Sequence, residues 1–193
     1  MKTQYVVSSP SRTGSTLLCN ILRSGGVTDI LHTHDCLLQV ENPKTTVLIF
    51  SARRDLFRSI MSCLTGKRTK IFNVYNNTNL KTIAPFEIDC LDHDSEFQKQ
   101  YRWHKWYIQS HNLDLPYCKV ETFYIEDFVN DYEFIYKKLD LIKHKEVVAP
   151  LESTYRYKDL IINHEQCKEI FDHLEITEKF TPILKPYDPH LPN

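Results

Sequence analysis

The chain has 193 residues, 41% of them hydrophobic and 12% aromatic, enough for one globular domain (1–193) with a substantial core. A formal charge of -1 and a pI near 6.7 exclude a general nucleic-acid binder, which needs a basic face overall. The six cysteines (Cys19, Cys36, Cys63, Cys90, Cys118, Cys167) include no Cys-x-x-Cys pair and read as small hydrophobes. With no charged-then-apolar leader or apolar span, the expectation is a reduced, cytoplasmic protein that neither crosses a membrane nor carries a structural zinc.

The first predicted strand is Gln4–Ser8, and a helix over 13–23 follows, with Leu17, Leu18, Ile21 and Leu22 in one apolar stripe and Gly25-Gly26 ending it. Between them lies Ser8-Ser9-Pro10-Ser11-Arg12-Thr13-Gly14-Ser15-Thr16. Small hydroxyl residues between a strand and a helix start leave backbone N–H groups free for an anion. The Gly-Lys-[Ser/Thr] ending of a nucleoside-triphosphate loop is absent, because Ser15 and Thr16 follow Gly14 and the nearby cation is Arg12.

Next come a short strand over 28–33, a polar stretch, and the continuous apolar run Val47-Leu48-Ile49-Phe50, which suits a strand buried on both faces of a parallel sheet. Asp55 is the expected N-cap of a helix over 56–64 closed by Gly66. Periodicity fades over 66–94, an expected irregular excursion in which Asn76-Asn77-Thr78 reads as a polar loop. A helix over 95–112, a strand over 120–125, a helix over 131–142, a helix over 164–174 capped by Asn163, and a surface tail over 181–193 complete the reading. This order implies an α/β fold, a three-layer α/β/α arrangement around a central, mostly parallel sheet.

Arginine near a helix start opposes the helix macrodipole, yet Arg12 precedes one helix and Arg53-Arg54 precede another, with Arg58 one turn in. In an open α/β sheet both starts lie along the C-terminal edge, where ligands bind. A multiply charged anion between them explains the pattern, since guanidinium suits phosphate and sulfate oxygens.

Ser9-Pro10-Ser11-Arg12-Thr13-Gly14-Ser15-Thr16-Leu17 resembles the 5′-phosphosulfate loop of the sulfotransferases, which use 3′-phosphoadenosine 5′-phosphosulfate (PAPS) as donor. Arg53-Arg54-Asp55-Leu56-Phe57-Arg58-Ser59-Ile60-Met61-Ser62 is similar to the family's 3′-phosphate segment, and Tyr124-Ile125-Glu126-Asp127-Phe128 to its strand-ending Tyr-Glu-Asp-Leu segment. The resemblance implies a P-loop-like sulfotransferase fold without metal. It makes Ser11, Arg12, Thr13, Gly14, Ser15 and Thr16 donor ligands at the 5′ end, and Arg54 and Ser62 ligands of the 3′-phosphate. In Leu31-His32-Thr33-His34, an extended chain points His32 and His34 to one face. Where the family carries Lys-Thr-His, His34 is the implied base and His32 replaces the lysine; a neutral histidine supplies no fixed charge, so Arg12 takes more of the cationic role. Glu41 and Asp35 are held in reserve as bases.

The implied activity is sulfuryl transfer from PAPS to a hydroxyl or amine on a small-molecule, glycan or peptide acceptor, leaving the desulfated nucleotide PAP. The alternatives are a P-loop-like nucleotide kinase or other phosphotransferase, disfavoured by the missing loop lysine, and a nucleotide-binding protein without catalysis. A metal role for His32 and His34 ranks below the base role. His104 reads as a satisfied core histidine, Trp103, Trp106 and Tyr107 as packing, and Glu126 and Asp127 as braces of a helix start. Tyr155, Arg156, Tyr157 and Lys158 fall where related enzymes approach the nucleotide.

Overall fold

The computed structural model describes residues 3–34, 43–70, 83–110, 119–149 and 157–178. In chain order they form β1 (Gln4–Ser8), α1 (Ser15–Ser24), β2 (Ile30–Thr33), β3 (Thr46–Ala52), α2 (Leu56–Thr69), α3 (Glu96–Ser110), β4 (Lys119–Tyr124), α4 (Ile125–Phe128), α5 (Glu133–Leu139), α6 (Tyr157–Leu160) and α7 (His164–Thr177). The sheet order is β2-β1-β3-β4 and every pairing is parallel. The fold is therefore α/β with a parallel sheet, as the alternating strand and helix signals predict.

Successive residues of each strand serve opposite faces. Val7 of β1, Ile49 of β3 and Phe123 of β4 pack with Leu18, Ile21 and Leu22 of α1 and with Ile135 and Leu139 of α5. Val6, Leu48 and Phe50 instead meet Tyr107 of α3. A further cluster joins α2, α3 and α7 through Ile60, Met61, Phe97, Tyr101 and Phe171. Helices thus cover both faces, an arrangement compatible with three layers. Because β1 leads through α1 to β2 on one side while β3 lies on the other, the strand order diverges at the C-terminal ends of β1 and β3. A crevice at such a point is where open α/β sheets take ligands.

Two expectations are corrected. Gly66 does not close α2: the helix runs on to Thr69, Gly66 is buried within it, and the left-handed cap is Lys70 with φ 63°. Packing against α3 outweighs glycine's weak helix propensity there. The irregular excursion over 66–94 is correspondingly narrower. Phe86, Ile88 and Cys90 are buried in the core, and Phe86 forms a parallel bridge with Ile161. Residues 71–82, with the Asn76 sequon, lie outside the described residues, as do Asp35, Cys36, Glu41, Cys118, Tyr155, Arg156 and the tail over 181–193.

Other boundaries shift by a few residues. Helix α1 begins at Ser15 rather than Thr13, β2 at Ile30, and α5 is shorter than its predicted span. Asp55 caps α2 as expected, accepting from Arg58 N–H at 2.9 Å. Asn163 stands at the N-cap of α7, but its side chain makes no capping bond. It turns instead to Ile88, accepting from its N–H at 2.9 Å and donating to its carbonyl at 2.7 Å.

Candidate functional site

The loop after β1 is built by local bonds and two left-handed residues. Thr13 Oγ1 donates to the Pro10 carbonyl at 2.9 Å, and Ser51 Oγ, from β3, donates to the Thr13 carbonyl at 2.7 Å. Arg12 has φ 69° and Gly14 φ 83°. A Cβ on Gly14 would stand 2.6 Å from Ile125 Cδ1, so this turn admits glycine for space as well as for conformation. Gly14 is the N-cap of α1, no side chain caps that helix start, and its first turn holds no acidic residue. The first intrahelical bond runs from Leu18 N–H to the Gly14 carbonyl at 2.9 Å. The N–H groups of Ser15, Thr16 and Leu17 thus point out of the helix start with its partial positive charge.

The two histidines lie beside this loop. Ser9 N–H donates to the Thr33 carbonyl at 3.2 Å, extending the β1–β2 pairing to the point where His34 leaves the sheet. His34 Nδ1 is 2.8 Å from the Ser9 carbonyl, an acceptor only, so Nδ1 carries the proton and donates. In the neutral ring that makes Nε2 the proton-accepting nitrogen, and the residue is exposed. His32 Nε2 and Ser15 Oγ share a hydrogen bond of 2.9 Å, which joins β2 to the first residue of α1. The two rings stand edge to face with centroids 5.2 Å apart. Partial burial, then the neighbouring His34 and Arg23, push the His32 pKa down from its ordinary value, which favours the neutral ring. Among the described residues no group of three metal-ligating side chains gathers.

The second basic segment divides between two partners. Arg12 Nε donates to Ser62 Oγ at 2.9 Å, so the loop's cation meets the buried serine of α2. Ser59 Oγ donates to the Ser11 carbonyl at 3.4 Å. Arg54 points elsewhere. Its Nη1 and Nη2 donate to the two carboxylate oxygens of Asp127 at 2.6 and 2.7 Å, and its guanidinium lies over the Tyr124 ring, 4.5 Å from the centroid. Both Glu126 carboxylate oxygens sit 3.2 Å from the Arg54 N–H. Through Arg54, Glu126 and Asp127 meet the segment that leads into α2; in their own α4 they stand in the first turn. The Arg54 hydrogen bonds hold the Asp127 carboxyl below the usual carboxylate range.

Beneath the loop, His104 of α3 is 1% exposed. Its Nδ1 donates to the Gln100 carbonyl at 2.8 Å, while Nε2 has no hydrogen-bond partner among the described residues. It is a core histidine satisfied at one nitrogen only. Burial pushes its pKa down to about 4, so the ring is neutral at pH 7. Tyr107, one turn on, is fully buried, its hydroxyl hydrogen-bonded to Ser8 Oγ at the end of β1, and Trp103 packs against both rings.

Of the residues singled out in the sequence, Ser11, Arg12, Thr13, Gly14, Ser15, Thr16, His32, His34 and Ser62 therefore come together at one sheet edge, joined by the contacts above. Arg54 joins Asp127 instead of Ser62. The contacts that sequence reasoning missed are Arg12 with Ser62 and Arg54 with Asp127, each spanning more than forty residues of chain, beyond the reach of any periodicity. No family model matches the chain, and no significant match is found among curated proteins or solved structures.

Proposed function

We propose that the protein is a single-domain cytoplasmic sulfotransferase of P-loop-like architecture, transferring a sulfuryl group from PAPS to a hydroxyl or amine acceptor. The observation that carries this reading is the His34 imidazole, whose Nδ1–H is held by the Ser9 carbonyl so that the basic Nε2 is exposed beside the uncapped start of α1. A base and an anion cradle side by side are the two parts that group transfer between an anionic donor and a neutral acceptor needs.

The chain's residues fit the 5′ end of such a donor: the outward N–H groups of Ser15 and Thr16, the Ser15 hydroxyl and the Arg12 guanidinium all suit sulfate and phosphate oxygens. PAPS supplies an activated sulfuryl group on a nucleotide leaving group. His34 Nε2 takes the proton from the acceptor hydroxyl or amine, and the Ser9 carbonyl stabilises the imidazolium through Nδ1–H. Arg12, fixed by Ser62, and the first-turn amides hold the negative charge that builds on the donor oxygens. His32, neutral, orients Ser15 and contributes no charge. A positioned base adds about 10²–10⁴-fold to such a rate.

The test is transfer of labelled sulfate from PAPS to a panel of acceptors, paired with calorimetry of adenosine 3′,5′-bisphosphate without metal against ATP with Mg²⁺. We expect the bisphosphate to bind and His34→Ala to lower turnover by about 10² or more while bisphosphate affinity stays within a few-fold. Preference for ATP with Mg²⁺ would return the kinase reading. Binding without transfer to any acceptor would favour a nucleotide-binding protein lacking catalysis, a second reading to which the neutral His32 in place of a fixed cation gives weight.

A further inference from the structure

The Arg54 guanidinium is held by an acid. Its end-on fork is filled by Asp127, its own N–H faces Glu126, and Tyr124 lies under the guanidinium plane. The ion pair is open to water, with side-chain exposures of 54% for Arg54 and 35% for Asp127. In this state the fork that would grip a phosphate grips a carboxylate, with the Glu126 carboxylate at the Arg54 N–H and Lys138 acting on Asp127 from farther off.

We propose that Asp127 is an internal counter-anion that sets the affinity of the site for the donor's 3′-phosphate: Arg54 must exchange Asp127 for that phosphate on binding. The inference rests on the sulfotransferase reading and deepens it. The exchange is chemically easy, because a carboxylate and a phosphate offer the same planar fork the same pair of oxygens, and the phosphate brings more charge. Solvent exposure keeps the pair weak enough to open, since exposed ion pairs contribute little to stability. Tyr124 keeps the guanidinium plane in place while its partner changes, through the cation–π contact. Discrimination then comes from a competition. A nucleotide with only a 5′-phosphate leaves the Arg54–Asp127 pair closed, while one with a 3′-phosphate opens it.

The experiment is calorimetry of the whole chain with adenosine 3′,5′-bisphosphate and with adenosine 5′-monophosphate, on the wild type, Asp127→Asn, Arg54→Ala and the double variant. Asp127→Asn should bind the bisphosphate about two- to five-fold more tightly, the range of one exposed ion pair, and the monophosphate equally well. The gain should vanish in the double variant. A measurement on the unaltered protein stands beside it in case Asp127→Asn fails to fold. The Asp127 carboxyl, followed by carbon-13 NMR during a pH titration, should return toward its ordinary pKa when the bisphosphate is bound and not when the monophosphate is. If the wild type prefers the bisphosphate but Asp127→Asn weakens or leaves its binding unchanged, or the Asp127 carboxyl keeps its lowered pKa in the complex, Asp127 only positions Arg54 and the exchange is overturned. If the wild type does not distinguish the two nucleotides, the sulfotransferase reading of Arg54 falls, and the exchange with it.

Discussion

Gly14 has to satisfy backbone and neighbour at once. Its φ of 83° lies in the left-handed region, and a Cβ there would come within 2.6 Å of Ile125 Cδ1 and 2.8 Å of Ile125 Cγ1. Gly14→Ala is expected to cost about 2 kcal/mol or more, the sum of left-handed strain and overpacking. Denaturant unfolding measures the loss. Adding Ile125→Ala should return the steric part and leave the strain, so a double-mutant cycle gives a coupling that favours the pair. Cost without coupling would mean that backbone strain alone is at work. Arg12, two residues earlier, adopts φ 69° without the excuse of lacking a Cβ. Its guanidinium hydrogen bond to Ser62 accompanies that conformation, so the residue that ties the loop to α2 is held in an unusual backbone state.

At the scale of elements, what the sequence displays is local. The Val47–Phe50 run, the Asp55 cap and the stripe of α1 each depend on residues within a turn or two, and each is present. Phe86, Ile88 and Cys90 alternate with polar residues, a strand-like period of two hidden inside a stretch read as irregular. The four-residue helix α4 had no period to read. Helix α2 runs past Gly66 because glycine is a stop signal only where nothing packs against the helix beyond it. Asn163 shows the same limit: its position was legible, its partner was not, because Ile88 is 75 residues away. Asn163→Ala strips both the N–H and the carbonyl of a buried residue of their partners. It is expected to destabilise the fold by about 1–3 kcal/mol, through Ile88 and not through a helix cap, since the Asn163 side chain makes no capping bond. Hydrogen exchange at the Ile88 amide separates the cases, since only loss of the Asn163 bond exposes that amide.

The molecule as a whole sets its candidate site at the edge where two differently packed halves meet. One face of the sheet is closed by α1 and α5, the other by α3, with α2 and α7 packed beyond it, and the loop residues Ser11 to Gly14 touch both through Ser59, Ser62 and Ile125. The buried His104 couples that arrangement to pH. Its folded pKa of about 4 lies below the ordinary 6.5, so the unfolded chain binds a proton that the folded chain refuses between those values. Stability contributed by the neutral ring is present above about 6.5 and is lost as pH falls toward 4, a loss on the order of 3 kcal/mol. Thermal unfolding from pH 7.5 to pH 4.5 should show a steeper decline in the wild type than in His104→Gln, which does not titrate; equal slopes would place the acid sensitivity elsewhere. His34, by contrast, depends on a carbonyl. A substitution of the buried Ser9 that keeps the backbone path and its N–H, such as Ser9→Ala, leaves that oxygen where it is. The His34 tautomer is thus inherited from the path of the main chain, and across an alignment of relatives no second column need vary with the histidine.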